Sequence, residues 1–239
     1  MTLDFLAHLR ADGARFSEIA RTGDPTLRVP PCPDWALADL VGHLGAVHRV
    51  QRQRVESGSA ERQPLERPVP PSDGLADWYD EGLAELLAAL DRVDPDAPAW
   101  NWSASAPKTA AFWPRRMAQE TAVHRWDAEA TIGATTPIDP ELAADGIDEW
   151  LTVFVDADRR PPAGLGTLHL HCTDTDGEWF AALGGGRIVV RREHAKADVA
   201  ARGRAEDLLL VCWRRRPAAA VEVLGDAATL TGWIDLAEG

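Results

Sequence analysis

Apolar residues along the first two-thirds of the chain recur at helical spacing. Between Leu3 and about Ile19 the set is Phe5, Leu6, Leu9, Phe16 and Ile19, which predicts an amphipathic helix. The segment VPPCPDW follows, where Pro30, Pro31 and Pro33 exclude helix and predict a loop. Asp34 is placed to cap a second helix from Trp35 to about Val55, with Leu37, Leu40, Val41, Leu44, Val47 and Val50 facing inward. Ser72 or Asp73 opens a third helix reaching about Val93. A fourth spans Phe112 to Thr131, with Gly133 as its stop, and a fifth spans Pro140 to Phe154 before Arg159, Arg160, Pro161 and Pro162. Residues 58–71 and 94–111 read as loops.

The period then changes. Leu168 to Cys172 alternates as a half-buried strand does, and Trp179 to Leu183 and Arg187 to Val190 predict two more around a Gly184-Gly185-Gly186 turn. Ala205 to Trp213 reads as a helix, Val221 to Leu224 as a short strand and Ala227 to Leu236 as a last helix. The expected organisation is a helical domain over 1–157 and a small α/β domain over 166–239.

Composition narrows the function. With 38 acidic and 25 basic side chains the net charge is −13, so general binding of nucleic acid is not expected. No apolar run approaches the roughly 20 residues of a membrane span, and MTLDFLAHLR lacks the basic start of a signal peptide. Cys32, Cys172 and Cys212 are scattered and form no CxxC pair, as in a protein of a reducing compartment. A cytoplasmic location is expected.

The segment Met117-Ala118-Gln119-Glu120-Thr121-Ala122-Val123-His124-Arg125-Trp126-Asp127 carries the most chemistry. Glu120 and His124, four apart, share one helical face, and a carboxylate with an imidazole there can hold one divalent metal. ExxxH also occurs on ordinary surface helices. The apolar neighbours Met117, Val123 and Trp126 favour the interior of a bundle, where a Glu needs a partner. A third ligand must come from another helix. His43 and His48 sit five residues apart, about 140° around the helix, so they cannot serve one site. His43 shares the apolar sector with Leu40, Val47 and Val50 and is the candidate ligand, with a hydrogen-bonded core histidine as the alternative. His48, beside Arg49 and Arg52, is expected at the rim or surface. Asp127 can orient a ligand or cap another helix, and Arg116 and Arg125 can face the pocket or solvent, with solvent as the default. Trp35, Trp78, Trp113 and Trp126 are expected in the core, with Trp100 and Trp102 in a loop that can line a pocket entrance. His169 and His171 share one strand face, where metal binding and simple exposure are both open.

CPDWALADLVGHLGAVHR, followed by MAQETAVHRWDAEA, resembles the mycothiol-dependent maleylpyruvate isomerase family, part of the wider DinB-like metal-binding four-helix bundles. EDLLLVCWRRRP and VEVLGDAATLTGW are similar to that family's C-terminal sterol-carrier-like domain. The resemblance implies a DinB-like bundle followed by a small α/β domain. It also implies a divalent metal, usually zinc, on His43, Glu120 and His124, and the thiol cofactor mycothiol. An Arg of the C-terminal domain would bind the acidic substrate or cofactor, which places Arg215 in both the catalytic and the cofactor-binding set, with Arg214 and Arg216 as neighbouring registers. Three ligands leave an open position, as catalytic zinc does, and a thiol there is deprotonated into a held nucleophile. Addition to an activated double bond, rotation and expulsion give an isomerase. Addition without expulsion gives an S-transferase. A metal-bound water would give a hydrolase, and a non-catalytic metal-binding or stress-response protein is the reading outside enzymology.

Overall fold

The computed structural model describes residues 3–155, 164–184 and 187–237. Two compact units emerge, Met1–Asn101 with Pro107–Thr136, and Trp102–Ala106 with Pro137–Gly239. The division at 136/137 lies ahead of the expected 157–166 boundary, because the fifth helix packs within the second unit.

The first unit is a bundle of four helices, α1 (Phe5–Thr22), α2 (Leu37–Glu56), α3 (Leu75–Arg92) and α4 (Phe112–Thr131). α1 packs on α4 and α3, and α2 packs on α3 and α4. Asp4 caps α1 by accepting from the Ala7 N–H at 3.0 Å. Leu9, Phe16, Leu40, Leu44, Tyr79, Leu86 and Trp113 are fully buried and form the bundle core. The Pro-rich segment before α2 folds into a small antiparallel ribbon, β1 (Arg28–Val29) with β2 (Cys32–Ala36), where a loop was expected. Pro lacks the N–H a ladder needs, so the pairing falls on Arg28 with Ala36 and Val29 with Cys32. α2 consequently starts two residues later than expected, and Asp39 accepts from the Ala36 N–H at 2.8 Å. Gly74, at φ 69°, turns the chain into α3 in place of a Ser72 or Asp73 cap.

The second unit opens with α5 (Pro140–Glu149), capped by Asp139, which continues as a wider π turn over Trp150–Val155. The expected end of that helix at Phe154 falls within the π turn, while Arg159–Pro162 lies outside the described residues, as does Gly185-Gly186 of the expected turn. Five strands follow in the order β5-β4-β3-β6-β7. They are β3 (Leu168–Cys172), β4 (Glu178–Gly184), β5 (Arg187–Arg191), β6 (Val199–Gly203) and β7 (Glu222–Gly225). β3 and β6 are parallel and the other pairs antiparallel. α6 (Ala205–Cys212) and α7 (Ala227–Asp235) pack against β3 and β6, and α5 packs against α6. Leu168 and Leu170 on β3 lie level with buried Val199 and Ala201 on β6, and Cys172 lies level with Gly203. β6 was not expected, since its sequence VAARG carries only one β-branched residue. No helix among the described residues is long and apolar enough to cross a membrane.

Candidate metal centre

α4 supplies Glu120 and His124 one turn apart, and α2 brings His43 to the same point. One ligand atom from each of the three lies within 4.8 Å of the others. Glu120 Oε1 is 3.6 Å from His43 Nε2 and 3.4 Å from His124 Nε2. The two imidazoles meet edge to face, with ring centres 5.1 Å apart.

Further residues fix the orientation of these donors. Asp127, fully buried, lies 2.9 Å from His124 Nδ1, so that nitrogen carries the proton and Nε2 is directed at Glu120. Arg116, expected in solvent, is buried and donates to Glu120 Oε2 at 2.6 Å, which leaves Oε1 for the two histidines. Trp35, expected in the core, is half-exposed and stacks on His43 at 4.8 Å. Arg67 Nη2 donates to His43 Nδ1 at 3.1 Å. Arg67, Trp35, Gly42, His43 and Pro70 line a cleft of about 430 Å³. Arg116 was legible at four residues before Glu120, the spacing of an intrahelical ion pair. Arg67 lies in a charged loop with no periodicity to mark it.

The electrostatics match this geometry. Burial alone would disfavour charge on both Glu120 and His124. Arg116 and the histidines outweigh it for Glu120 and hold its carboxyl well below the usual range. Hydrogen bonds to Asp127 and Glu120 outweigh it for His124 and lift that imidazole to about 9. His48 behaves in the opposite way. It is fully buried, not at the rim, its Nε2 meets Thr121 Oγ1 at 3.0 Å, and burial lowers it to about 3. Leu40, Leu44 and His48 fall four apart on the core stripe, and that spacing outranks the adjacent arginines. Gly45 lets α3 approach, since a Cβ there would stand 2.5 Å from the Trp78 ring.

Arg215 belongs to the second unit, just past α6, where its Nη1 donates to the Trp213 carbonyl at 2.9 Å. Arg214, at φ 58°, pairs with Asp235, and Arg216 pairs with Glu206 and Asp207. Trp102 contacts Phe154, which contacts Trp213, while Trp100 lies under Arg54 in the first unit. Cys172 and Cys212 are buried, and burial raises both thiols, Cys172 to about 12.

Residues 6–129 match the family described as the mycothiol maleylpyruvate isomerase N-terminal domain, and residues 141–232 match the C-terminal domain of the same proteins. The chain belongs to the mycothiol-dependent maleylpyruvate isomerase family. A crystal structure of the mycothiol-dependent maleylpyruvate isomerase superposes with TM-score 0.59 at 15% identity, covering 92% of this chain and 91% of that one. A histidine-to-alanine mutant of that enzyme gives TM-score 0.58 at 14% identity over the same shares. Uncharacterized protein Rv0738 of Mycobacterium tuberculosis (strain ATCC 25618 / H37Rv) is 29% identical over 147 residues, 59% of this chain and 73% of its own length. Its counterpart MT0763 in strain CDC 1551 / Oshkosh matches to the same extent. The donor set of this family member, two imidazoles and a carboxylate with both α4 ligands held from behind, fits a divalent metal of the zinc class.

Proposed function

We propose that the protein is a mycothiol-dependent isomerase of a small acidic electrophile, with one divalent metal, zinc by preference, held by His43, Glu120 and His124. The observation that carries this is the convergence of the three donors, with Asp127 and Arg116 fixing two of them. When bound, the metal supplies the positive charge that keeps a thiol ionised at neutral pH. The chain's own groups do the rest. Asp127 holds the tautomer that presents His124 Nε2, and Arg116 holds Glu120 ionised and in one rotamer. Trp35 fixes the plane of His43 and forms an apolar wall of the cleft. Arg67 adds positive charge at that cleft, where an anionic substrate needs it in a protein of net charge −13. Arg215 is assigned to a carboxylate of the substrate or cofactor, which a guanidinium grips at two points. The cysteines are not assigned as nucleophiles, in keeping with the two buried thiols being held protonated.

The test is isomerisation of maleylpyruvate by metal-loaded protein with and without mycothiol. Turnover that needs both and is lost in His124→Ala supports the reading. Thiol-independent turnover would favour a hydrolase, and conjugate accumulation without isomerised product a transferase. Absence of any thiol chemistry sinks it.

A further inference from the structure

The second unit carries its own cluster of metal-binding side chains, none of which the proposed reaction uses. His169 and His171 alternate on β3 and lie on the same face of the sheet. Glu178 on β4 sits directly opposite His171 in the antiparallel register. His194 comes from the segment after β5. One ligand atom from each of the four lies within 4.8 Å of the others.

Three imidazole nitrogens converge on a single oxygen. Glu178 Oε1 is 3.1 Å from His169 Nε2, 2.8 Å from His171 Nδ1 and 2.5 Å from His194 Nδ1. A carboxylate oxygen offers two lone pairs, so it satisfies two such donors well and crowds a third. The same convergence suits a cation, which accepts every lone pair directed at it. Tetrahedral zinc places its ligand atoms about 2.0–2.2 Å from the metal, hence a little over 3 Å from one another. The nitrogens lie somewhat closer than that to Oε1, and rotation of the half-exposed Glu178 side chain away from them opens the centre while all four ligand atoms stay within reach of one ion. His169, buried, and His171 are set by the central strand, so two of the four ligands are fixed before any ion arrives. α6 and α7 pack on β3 and β6, where the alternate residues Leu168 and Leu170 are buried, and the histidines occupy the intervening positions.

We propose that His169, His171, Glu178 and His194 form a second site for a divalent transition-metal ion such as zinc, which ties β3, β4 and the segment following β5 together. Three nitrogens and one oxygen select this class over calcium or magnesium, which take oxygen sets. Four protein ligands close the coordination shell, so the ion serves the fold and not a reaction.

The probe is zinc alone, counted by elemental analysis of the full chain after equilibration and desalting, in wild type and in His171→Ala, Glu178→Gln, His124→Ala and the His124→Ala/His171→Ala pair. His171 is the main target because its half-exposed ring can be removed without opening the core. The expected counts are two ions in wild type, one in each of His171→Ala and His124→Ala, and none in the pair. Zinc held about 100-fold above its Kd should also raise the Tm of His124→Ala by about 5 °C, and should not do so in the pair. An unchanged count in both His171→Ala and Glu178→Gln overturns the second site, as does a His124→Ala protein that binds no zinc. Loss of one ion in His171→Ala beside an unchanged count in His124→Ala sustains the second site and removes the ligand set proposed for the first.

Discussion

At the residue scale, the informative contrast is between the two imidazoles His124 and His48, which shift in opposite directions although both are buried. His124 is lifted to about 9 because Asp127 and Glu120 accept from it, overcoming burial, whereas His48 Nε2 meets the neutral Thr121 hydroxyl and burial wins. Two outcomes follow. A metal ion must displace the proton from His124 Nε2, so metal affinity should rise about tenfold per pH unit between pH 6.5 and 8. Competition titrations at several pH values check this, and a pH-independent affinity would show that His124 is neutral before binding. The sign for stability without metal is the reverse. A folded-state value above the unfolded one stabilises fully below about pH 6.5 and is lost as pH rises through about 9, so the Tm of metal-free protein should fall between pH 8 and 10. His48→Ala should keep its metal and lose about 2 kcal/mol of stability, from a cavity and an orphaned Thr121 hydroxyl. Chemical denaturation with parallel metal analysis separates those effects, and loss of metal would bring His48 into the ligand set.

At the element scale, α4 is buried along most of its length, and that explains both what could be read from the sequence and what could not. Its limits, Phe112 and Thr131, emerged from periodicity and Gly133, and the ExxxH pair emerged from spacing. Arg116 pairs within α4 and its spacing from Glu120 marks it, whereas an arginine beside apolar residues, such as Arg125, reads as solvated when a partner lies elsewhere in the chain. Arg125 donates to Asp12 of α1 at 3.0 Å and to Glu129 at 2.8 Å, and no local pattern announces Asp12. β6 escaped notice for a related reason, since its place between β3 and β7 comes from pairing and not from its own side chains. Glu129 is the centre of the α1–α4 clasp. Its side chain is fully buried and accepts from Arg15, Arg125 and both the N–H and hydroxyl of Thr136. Burial would raise its pKa, but these donors outweigh burial and lower it. That stabilisation is present above the unfolded value near 4.3 and is lost as pH falls through the folded one. Glu129→Gln should cost about 3 kcal/mol at pH 7, since it leaves Arg125 and Arg15 short of a buried counter-charge. The mutant's deficit against wild type should shrink in acid. A deficit that stays constant from pH 7 to pH 3 would mean that shape, and not charge, holds the clasp.

At the scale of the whole molecule, a net charge of −13 opposes entry of the anionic substrate proposed above, so arginines must offset that field locally. Arg67 stands at the cleft beside His43. In the second unit the run Arg214-Arg215-Arg216 is the densest basic segment, but its three members differ. Arg214 is paired with Asp235, and Arg216 with Glu206 and Asp207, so their charge is largely offset within the unit. Arg215 donates through one Nη to the carbonyl of Trp213 at 2.9 Å. The anion-binding role is assigned to Arg215 as the position of the run that the family resemblance favours, and substitution of each of the three tests it. A charge-assisted contact to a carboxylate contributes about 1.5–3 kcal/mol, so Arg215→Ala should lower kcat/KM roughly 10- to 150-fold. Zinc content and Tm should stay near wild type, because the residue carries neither the metal nor the core. Arg215→Lys keeps the charge and loses the fork, so it should recover only part of the activity. Arg214→Ala and Arg216→Ala should instead lower the Tm with smaller changes in kcat/KM. Steady-state kinetics on the four variants, each with its zinc count, decide the matter: wild-type kcat/KM in Arg215→Ala moves the role to another residue, and a large kinetic loss in Arg214→Ala or Arg216→Ala at unchanged Tm identifies which.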